Sequence, residues 1–456
     1  MFQSTKIFAE QVSANAYIAD IFYILATLGL FLIFVGLALI DAGTVNAKHL
    51  VDTLAQKMLS GLIGGASFMI AGYAIWNWQF NQAFGVPNPL MQSLSDWWLF
   101  GPNMNTYGQY LDKAIVPHAE VQQIFVVFFF AYAAVIGGFV HSMGLGRMKP
   151  SVCYILSAVA GGLLMPILTY LTWGPVGPLT NNGLHDYVGL FSLYMFVGVW
   201  SLILAWRLGP RLASTIAFDA HLFVPGVLVL IMAIPLAVLG CGFLEPGVGY
   251  FGITFNTSGL GIVFINIFMA FAGGAISGAV VAYWKHKPIY IFLGPITGYI
   301  TCSALFDIAA PWQCFVVAAI GPWIMLGVTA LMEKYELDDK KIVPAALVQS
   351  IVGALLAGII GAGIPTGGYP GAPGDYALQH AQISIGMQAL GVLVTLAFAG
   401  VSGLILVFGL EKTIGLRVVY TIEQDGMDVW YWNEWRKSRK MLVSPKAMPD
   451  YKSDYK

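Results

Sequence analysis

The sequence predicts an all-α polytopic membrane protein with eleven transmembrane helices. Hydrophobic residues make up 58% of the 456-residue chain and charged ones only 10%, and the mean hydropathy is +0.75. The apolar residues gather into charge-free runs of about 20, and 20 helical residues at 1.5 Å rise cross a hydrocarbon core of roughly 30 Å. Threading these runs back and forth sorts the cationic residues onto one side, as the positive-inside rule requires.

In chain order the runs are Ile21–Ile40, Leu59–Phe80, Val121–Val140, Val152–Trp173, Tyr187–Trp206, Leu222–Phe243, Gly259–Trp284, Ile289–Phe306, Ile308–Met332, Val343–Ile364 and Ile383–Leu410. The first closes on Asp41, and the fifth lies between Asp186 and Arg207. The eighth and ninth abut at Asp307, where Pro311 and Trp312 just beyond mark a tight turn at an interface. The repeats Gly274/Gly278 and Gly353/Ala357/Gly361 suit membrane helices that approach closely on small residues.

Lys48, Lys57, Arg147, Lys149, Arg207, Arg211, Lys285, Lys287, Lys334, Lys340 and Lys341 fall in alternate loops by this segmentation, and nine more cations follow the eleventh run. That places 20 of 22 on one side, leaving Lys6 and Lys113 on the other. The N-terminus is therefore expected outside and the C-terminus inside. Residues 1–410 form the membrane unit and 411–456 an inner tail. The outer loops 81–120, 174–186 and 366–380 are too short for a soluble domain and rich in turn residues.

Several function classes are disfavoured. A net charge of −1 says nothing about nucleic acid, and no nucleic-acid partner is expected. Cys153, Cys241, Cys302 and Cys314 have no paired spacing, so neither a metal site nor a disulfide framework is expected. All seven histidines lie in loops or at run ends, which disfavours a metal enzyme within the membrane. No cofactor is expected. The small residues Ala14 and Ala16 precede the first apolar run instead of following it, the wrong order for a cleaved signal peptide.

The pattern GLHDYVG at Gly183–Gly189, closed by AWRLGPR at Ala205–Arg211, resembles span five of the ammonium transporter / Rh family. ALIDAGTVNAKHLVDTL at Ala38–Leu54, PLAVLG from Pro235, Phe255–Asn256, AAPW at Ala309–Trp312, LDD at Leu337–Asp339 and GLRV…E…G.D at Gly415–Asp428 follow in the family's order. The resemblance covers nearly the whole chain. It implies five spans and five more in inverted repeat, an eleventh embracing helix, and a homotrimer with one pore per subunit in a cytoplasmic-type membrane. The substrate it implies is ammonium or ammonia.

Carried over by position, the resemblance makes Trp173 the outer cation-binding tryptophan, Ser258 its serine neighbour, and Phe129 and Phe255 the two stacked gate rings. A short insertion that includes Glu245 precedes Phe255. From the residues alone, Phe129 reads as lipid-facing or packed core and Trp173 as an interfacial anchor. Asp186 at the head of the fifth helix can cap it, and the family's aspartate there orders the site beneath the cation.

The family keeps two histidines at the pore centre. Here the first position is Tyr194, and the second is Leu347 counting from Asp339 or Ala346 counting back from Gly353. Tyr194 lies eight residues past Asp186, about 12 Å deeper. A phenol, with a pKa near 10, relays the proton of ammonium poorly, and an aliphatic side chain cannot relay it at all. Three readings follow: a channel for ammonia with an altered centre, a non-conducting ammonium-binding sensor or scaffold, and a channel for another small neutral molecule.

Gly415, Arg417, Glu423, Gly426 and Asp428 match the family's inner latch, which packs on inner loops. Beyond it Trp430, Trp432 and Trp435 stand beside a basic cluster, which suits contact with anionic lipid or a cytoplasmic regulatory partner.

Overall fold

The computed structural model describes residues 14–105, 119–212, 219–245 and 249–433. Lys6, Lys113 and Trp435 lie outside them, as does the side chain of Glu245. Eleven apolar helices run through the described chain. They are α1 (Ala14–Ala42), α2 (Ala47–Ala83), α3 (Ala119–Met143), α4 (Pro150–Thr172), α5 (Leu190–Leu208), α6 (Ala220–Val238), α7 (Leu260–Lys285), α8 (Ile289–Thr301), α9 (Pro311–Lys334), α10 (Val343–Ile360) and α11 (Ile385–Thr413). Ten of these are long and apolar enough to cross a membrane, whereas α8 has only 13 residues. "Inner" below is the end that carries Arg147, Arg207 and Arg211.

The packing has two matching halves. In the first, α2 lies along α3 and α4; in the second, α7 lies along α8 and α9. Helix α1 packs along α6, α5 meets α10, and α11 lies across both α5 and α10. Glycines permit this closeness. A Cβ at Gly161 of α4 would stand 2.2 Å from the Gly64 carbonyl of α2, and one at Gly274 of α7 would stand 2.2 Å from the Gly294 carbonyl of α8. Buried side chains would hold these backbones apart, and dispersion between them falls off within an ångström.

Three expectations need correction. Lys57 is not a loop residue: helix α2 starts ten residues earlier, and the Lys57 side chain is fully buried against Asp41. The eighth span stops at Thr301 instead of Phe306, and the chain turns through Cys302–Ile308 before α9. There Asn266 of α7 donates from Nδ2 to the carbonyls of Phe306 and Ala309, each at 2.8 Å, and so partners backbone that the broken helix leaves unpaired. The outer segments are also not plain loops. They hold a helix at Pro89–Trp97, an antiparallel sheet of β1 (Gly242–Glu245), β2 (Gly249–Gly252) and β3 (Thr257–Ser258), and the pair β4 (Pro365–Thr366) with β5 (Ala381–Gln382).

Four of the helices contain a π-helical turn: Phe68–Gly72 in α2, Ala160–Leu164 in α4, Leu190–Met195 in α5 and Val343–Leu347 in α10. Such turns are rare and gather at functional sites. The last two contain every candidate for the pore centre.

Candidate functional site

The head of α5 is fixed by side chains. Asp186 is fully buried, and its carboxylate accepts from the amides of Leu190 (2.8 Å) and Phe191 (3.2 Å), capping the π-helical turn. Gly189 between them has φ +76°, and a Cβ there would collide with the Tyr132 hydroxyl at 1.9 Å, so only glycine fits. His185 is locked beside it: Nδ1 lies 2.9 Å from Thr254 Oγ1 and Nε2 lies 3.1 Å from Asp307 Oδ1. Asn256 donates to the other Asp307 oxygen at 2.9 Å. This buried network ties α5 to the β2–β3 turn and to the break after α8.

Outside the network the aromatic residues gather. The Trp173 ring, fully buried, stacks on Tyr132 at 4.9 Å and meets Phe129 edge-on at 5.6 Å, and its Nε1 donates to the Tyr187 carbonyl at 3.2 Å. Phe129 stacks on Phe68 at 5.1 Å. Phe255 takes a left-handed backbone (φ 57°), stacks on Phe243 at 4.7 Å and touches Tyr369 at 4.9 Å. The expected pair is therefore not a pair: among the described residues Phe129 and Phe255 each stack on a different ring, and Phe125 against Phe243 (6.2 Å) links the two groups. Strand β1 holds the Phe243 that stacks on Phe255. Ser258 sits on β3 opposite Tyr250, and its buried hydroxyl oxygen has no hydrogen-bond partner among the described residues.

Tyr132 also walls a cavity of about 110 Å³. Among its described lining residues the groups able to hydrogen-bond are the phenols of Tyr132, Tyr194 and Tyr299 and the thiol of Cys241, the one charge is Lys341, and the rest is hydrocarbon. The Tyr194 and Tyr299 rings meet edge-on at 6.3 Å. Of the two alternatives in α10, Ala346 lines this cavity. Leu347 instead packs on α5, where a Cβ added at Gly198 would lie 2.8 Å from that of Leu347.

A charge cluster closes the inner end. Lys341 donates from Nζ to Asp41 Oδ1 at 2.5 Å and to Thr44 Oγ1 at 2.6 Å. Lys57 pairs with Asp41 Oδ2, and donates to the Gly138 carbonyl at 2.8 Å and to Ser142 Oγ at 2.5 Å. Asp339 caps α10 by accepting from the amides of Ile342 and Val343, both at 2.9 Å, and from Ser201 Oγ of α5 at 2.6 Å. Its neighbour Asp338 receives a forked pair of 2.8 Å bonds from Arg211 and a further contact from Arg147. Burial by itself would raise the Asp338 carboxyl, but the two guanidinium groups hold it well below the usual carboxylate range.

The tail returns to this inner face. Arg417 forms a forked ion pair with Glu423 (2.8 and 2.9 Å) and donates to the carbonyls of Leu208 and Pro210 at the end of α5. Glu423 accepts from the Leu212 amide at 2.9 Å. Gly415 (φ +71°) and Gly426 (φ +107°) make the turns, and a Cβ at Gly426 would meet the Lys48 backbone at 2.5 Å. Asp428 accepts from the amides of Val51 (3.0 Å) and Asp52 (2.7 Å), and Trp432 Nε1 donates to Asp52 at 3.0 Å.

Sequence reasoning missed the partnership of Lys57, Asp41 and Lys341, as well as the phenols of Tyr132 and Tyr299. The available signal was Asp41 at the very end of an apolar run and Lys341 at the very start of another. Among the described residues, no group of three His, Cys, Asp or Glu side chains is arranged to hold a metal ion.

Two inverted helical halves around a small cavity, with irregular backbone turned inward and satisfied by side chains, define a polytopic membrane protein of the transporter type. The sequence model of the Ammonium Transporter Family matches residues 21–436, and the chain belongs to that family. It is 31% identical to the ammonium transporter Amt1 of Methanocaldococcus jannaschii over 62% of this chain and 69% of that protein. It is 28% identical to that organism's ammonium transporter Amt2 over 91% of this chain and 90% of the relative. Among solved structures, a sensor Amt protein superposes with a TM-score of 0.71 at 18% identity, covering 92% of this chain and 99% of that one. Mep2 of Saccharomyces cerevisiae gives 0.67 at 15% identity, with 88% of each chain covered.

Proposed function

We propose that the protein conducts ammonia across the membrane by channel-type transport, through the cavity between the outer aromatic group and Lys341. The observation that carries this is the lining: hydrocarbon relieved by neutral phenols and a thiol, with Tyr194 and Ala346, one of the two α10 positions the family resemblance offers for its second imidazole, on the wall. Moving an ammonium-sized ion into a medium of low dielectric constant costs on the order of 20 kcal/mol in the idealised limit. A neutral molecule avoids that cost. The proton stays in the outer solution, and ammonia recovers one inside. On this reading Trp173, Phe129, Phe255, Ser258 and Asp186 shape the entry and Tyr194 is a polar stop along the way. Weak cation–π attraction of about 0.5–2 kcal/mol suits an entry that must release its guest.

The family resemblance supports three further parts of the reading. The protein assembles as a homotrimer with one conduit per subunit. It lies in a cytoplasmic-type membrane with residues 1–410 as the membrane unit and the N-terminus outside. The tail 411–456 faces the cytoplasm, where Gly415, Arg417, Glu423, Gly426 and Asp428 form a latch that a regulatory protein can engage.

The test is flux in reconstituted vesicles. An inward ammonium chloride gradient is expected to make the lumen of loaded vesicles alkaline faster than that of protein-free ones, with no charge movement. Equal rates in both would sink the proposal and leave a binding-only sensor; a faster rate for another small neutral solute alone would point to that solute.

A further inference from the structure

We propose that the outer segment after α2 is a lipid-docking hairpin: its tip, Trp98–Phe100, turns back down α2 and sits in the outer leaflet at the boundary between headgroups and acyl chains. Helix α2 carries the chain outward to Ala83, and the helix Pro89–Trp97 returns along it. Four contacts fix the descent. Asn81 donates from Nδ2 to the Pro89 carbonyl at 3.2 Å, Ser93 donates from Oγ to the Ala74 carbonyl at 2.6 Å, the Trp97 ring meets Tyr73 edge-on at 4.7 Å, and the Leu99 amide donates to the Ile70 carbonyl at 2.8 Å. Ile70 belongs to the charge-free run Leu59–Phe80, and α2 turns polar only at Asn77–Gln82. The tip therefore lies about 10 Å inward of the polar stretch at 1.5 Å rise per residue, the depth to which the apolar faces of interfacial helices sink.

At that depth the tip presents hydrocarbon. Trp98, Leu99 and Phe100 are 46%, 57% and 56% exposed, three large apolar side chains in succession. Leu99 and Phe100 both hold a left-handed backbone (φ 48° and 63°), which bulky residues rarely adopt, so the turn that sets them on the surface is a strained one. Its backbone is meanwhile partnered from within. The Trp98 amide donates to the Leu94 carbonyl and the Met104 amide to the Gly101 carbonyl, each at 2.9 Å, the Leu99 amide is held by Ile70, and Asn105 Nδ2 donates to the Phe100 carbonyl. Apolar side chains outside and a satisfied backbone inside are what lipid demands of irregular chain, whereas water demands neither. Asp96, just above the tip, is the one formal charge between Phe84 and Asn105, and its carboxylate accepts from Gln92 Nε2 at 2.8 Å. Tryptophan favours this boundary. With no cation in the stretch, the lipid that fits is zwitterionic.

The experiment uses the full chain in liposomes of phosphatidylcholine, with a nitroxide attached at Leu99→Cys or at Phe100→Cys. Its collisions are measured with oxygen, which concentrates in lipid, and with a water-soluble nickel chelate. The four native cysteines are buried, so the unsubstituted protein is expected to take little label. Leu62→Cys, at an exposed position of α2, supplies the lipid reference, and Asn88→Cys, exposed at the head of the hairpin helix, supplies the water reference. The oxygen-to-nickel ratio at both tip positions is expected to match that at Leu62 and to exceed that at Asn88 several-fold. A ratio like that at Asn88 places the tip in water, and a label that neither reagent reaches places it under protein, a second copy of this chain included; either overturns the inference. Brominated phosphatidylcholine gives a readout that needs no cysteine and covers labelled variants that fail to fold. It is expected to quench the fluorescence of wild type more than that of Trp98→Phe, and equal quenching of the two overturns the inference as well.

Discussion

Asp186 and Asp339 hold equivalent stations at opposite ends of the bundle. Each is buried, each stands four residues before a π-helical turn, and each accepts from consecutive backbone amides at its head: Leu190 and Phe191 at the outer end, Lys341, Ile342 and Val343 at the inner end. The two turns enter the membrane from opposite sides and carry Tyr194 and Ala346 to the same cavity. Hydrogen bonds to a charged acceptor contribute about 1.5–3 kcal/mol each. Asp186→Ala and Asp339→Ala are therefore both expected to destabilise by about 3 kcal/mol or more, and the Asn variants by roughly half as much. Thermal unfolding in detergent checks this, and a neutral Asp339→Ala would show that the inner cap is dispensable.

Ala346 and Leu347 are neighbours with opposite surroundings. Ala346→Phe puts a ring into the cavity and is expected to abolish ammonia flux with little loss of stability. Leu347→Ala opens a void against Gly198 and is expected to cost about 2–4 kcal/mol while flux persists in the folded fraction. Stopped-flow flux and unfolding, measured on both variants, separate the two; reversed results would put Leu347 on the conduit.

Asp338 gives the inner loop a pH signature. Its carboxyl is held below its ordinary value in the folded protein, so its contribution is complete above the unfolded value of about 4 and fades as pH falls from there toward the folded value. Wild type is expected to outlast Asp338→Asn by a constant margin at pH 6 to 8, with the margin shrinking below about pH 4. Unfolding midpoints across that range test it; a margin that grows on acidification contradicts the assignment.

Asp428 caps the first full turn of α2 from the tail. Asp428→Ala is expected to cost about 1 kcal/mol of docking and so to speed proteolysis of the tail beyond Thr413 about fivefold. Glu423→Gln, which weakens the forked pair with Arg417, is expected to act in the same direction. Unchanged cleavage in both variants would mean that the tail is held elsewhere.

Much of this architecture was legible in the sequence, because a bilayer enforces length and charge. The run Tyr187–Trp206 gave α5, and Asp186 announced its head. What stayed hidden has identifiable causes. Charge-based segmentation puts every lysine in a loop, so it could not see Lys57 buried in α2 against Asp41. Counting from Asp339 gives Leu347 and counting back from Gly353 gives Ala346, and a position count cannot say which of two neighbours in the π-helical turn Val343–Leu347 faces the cavity. The ring partners of Phe129 and Phe255 depend on where β1 sets Phe243, a long-range placement that no local pattern records. His185 sits at a helix end, and its bond to Asp307 joins positions 122 apart in the chain, beyond any local pattern.

The shortness of α8 bears on how the protein is made. Thirteen residues cover about 20 Å, too little to anchor a segment in lipid on its own during synthesis. Helix α7 leaves the ribosome first. Its Gly274 and Gly278 already offer the groove that α8 fills, and its Asn266 stands ready for the Phe306 and Ala309 carbonyls. Helix α8 is therefore held at membrane depth by its fit on α7 more than by its own length.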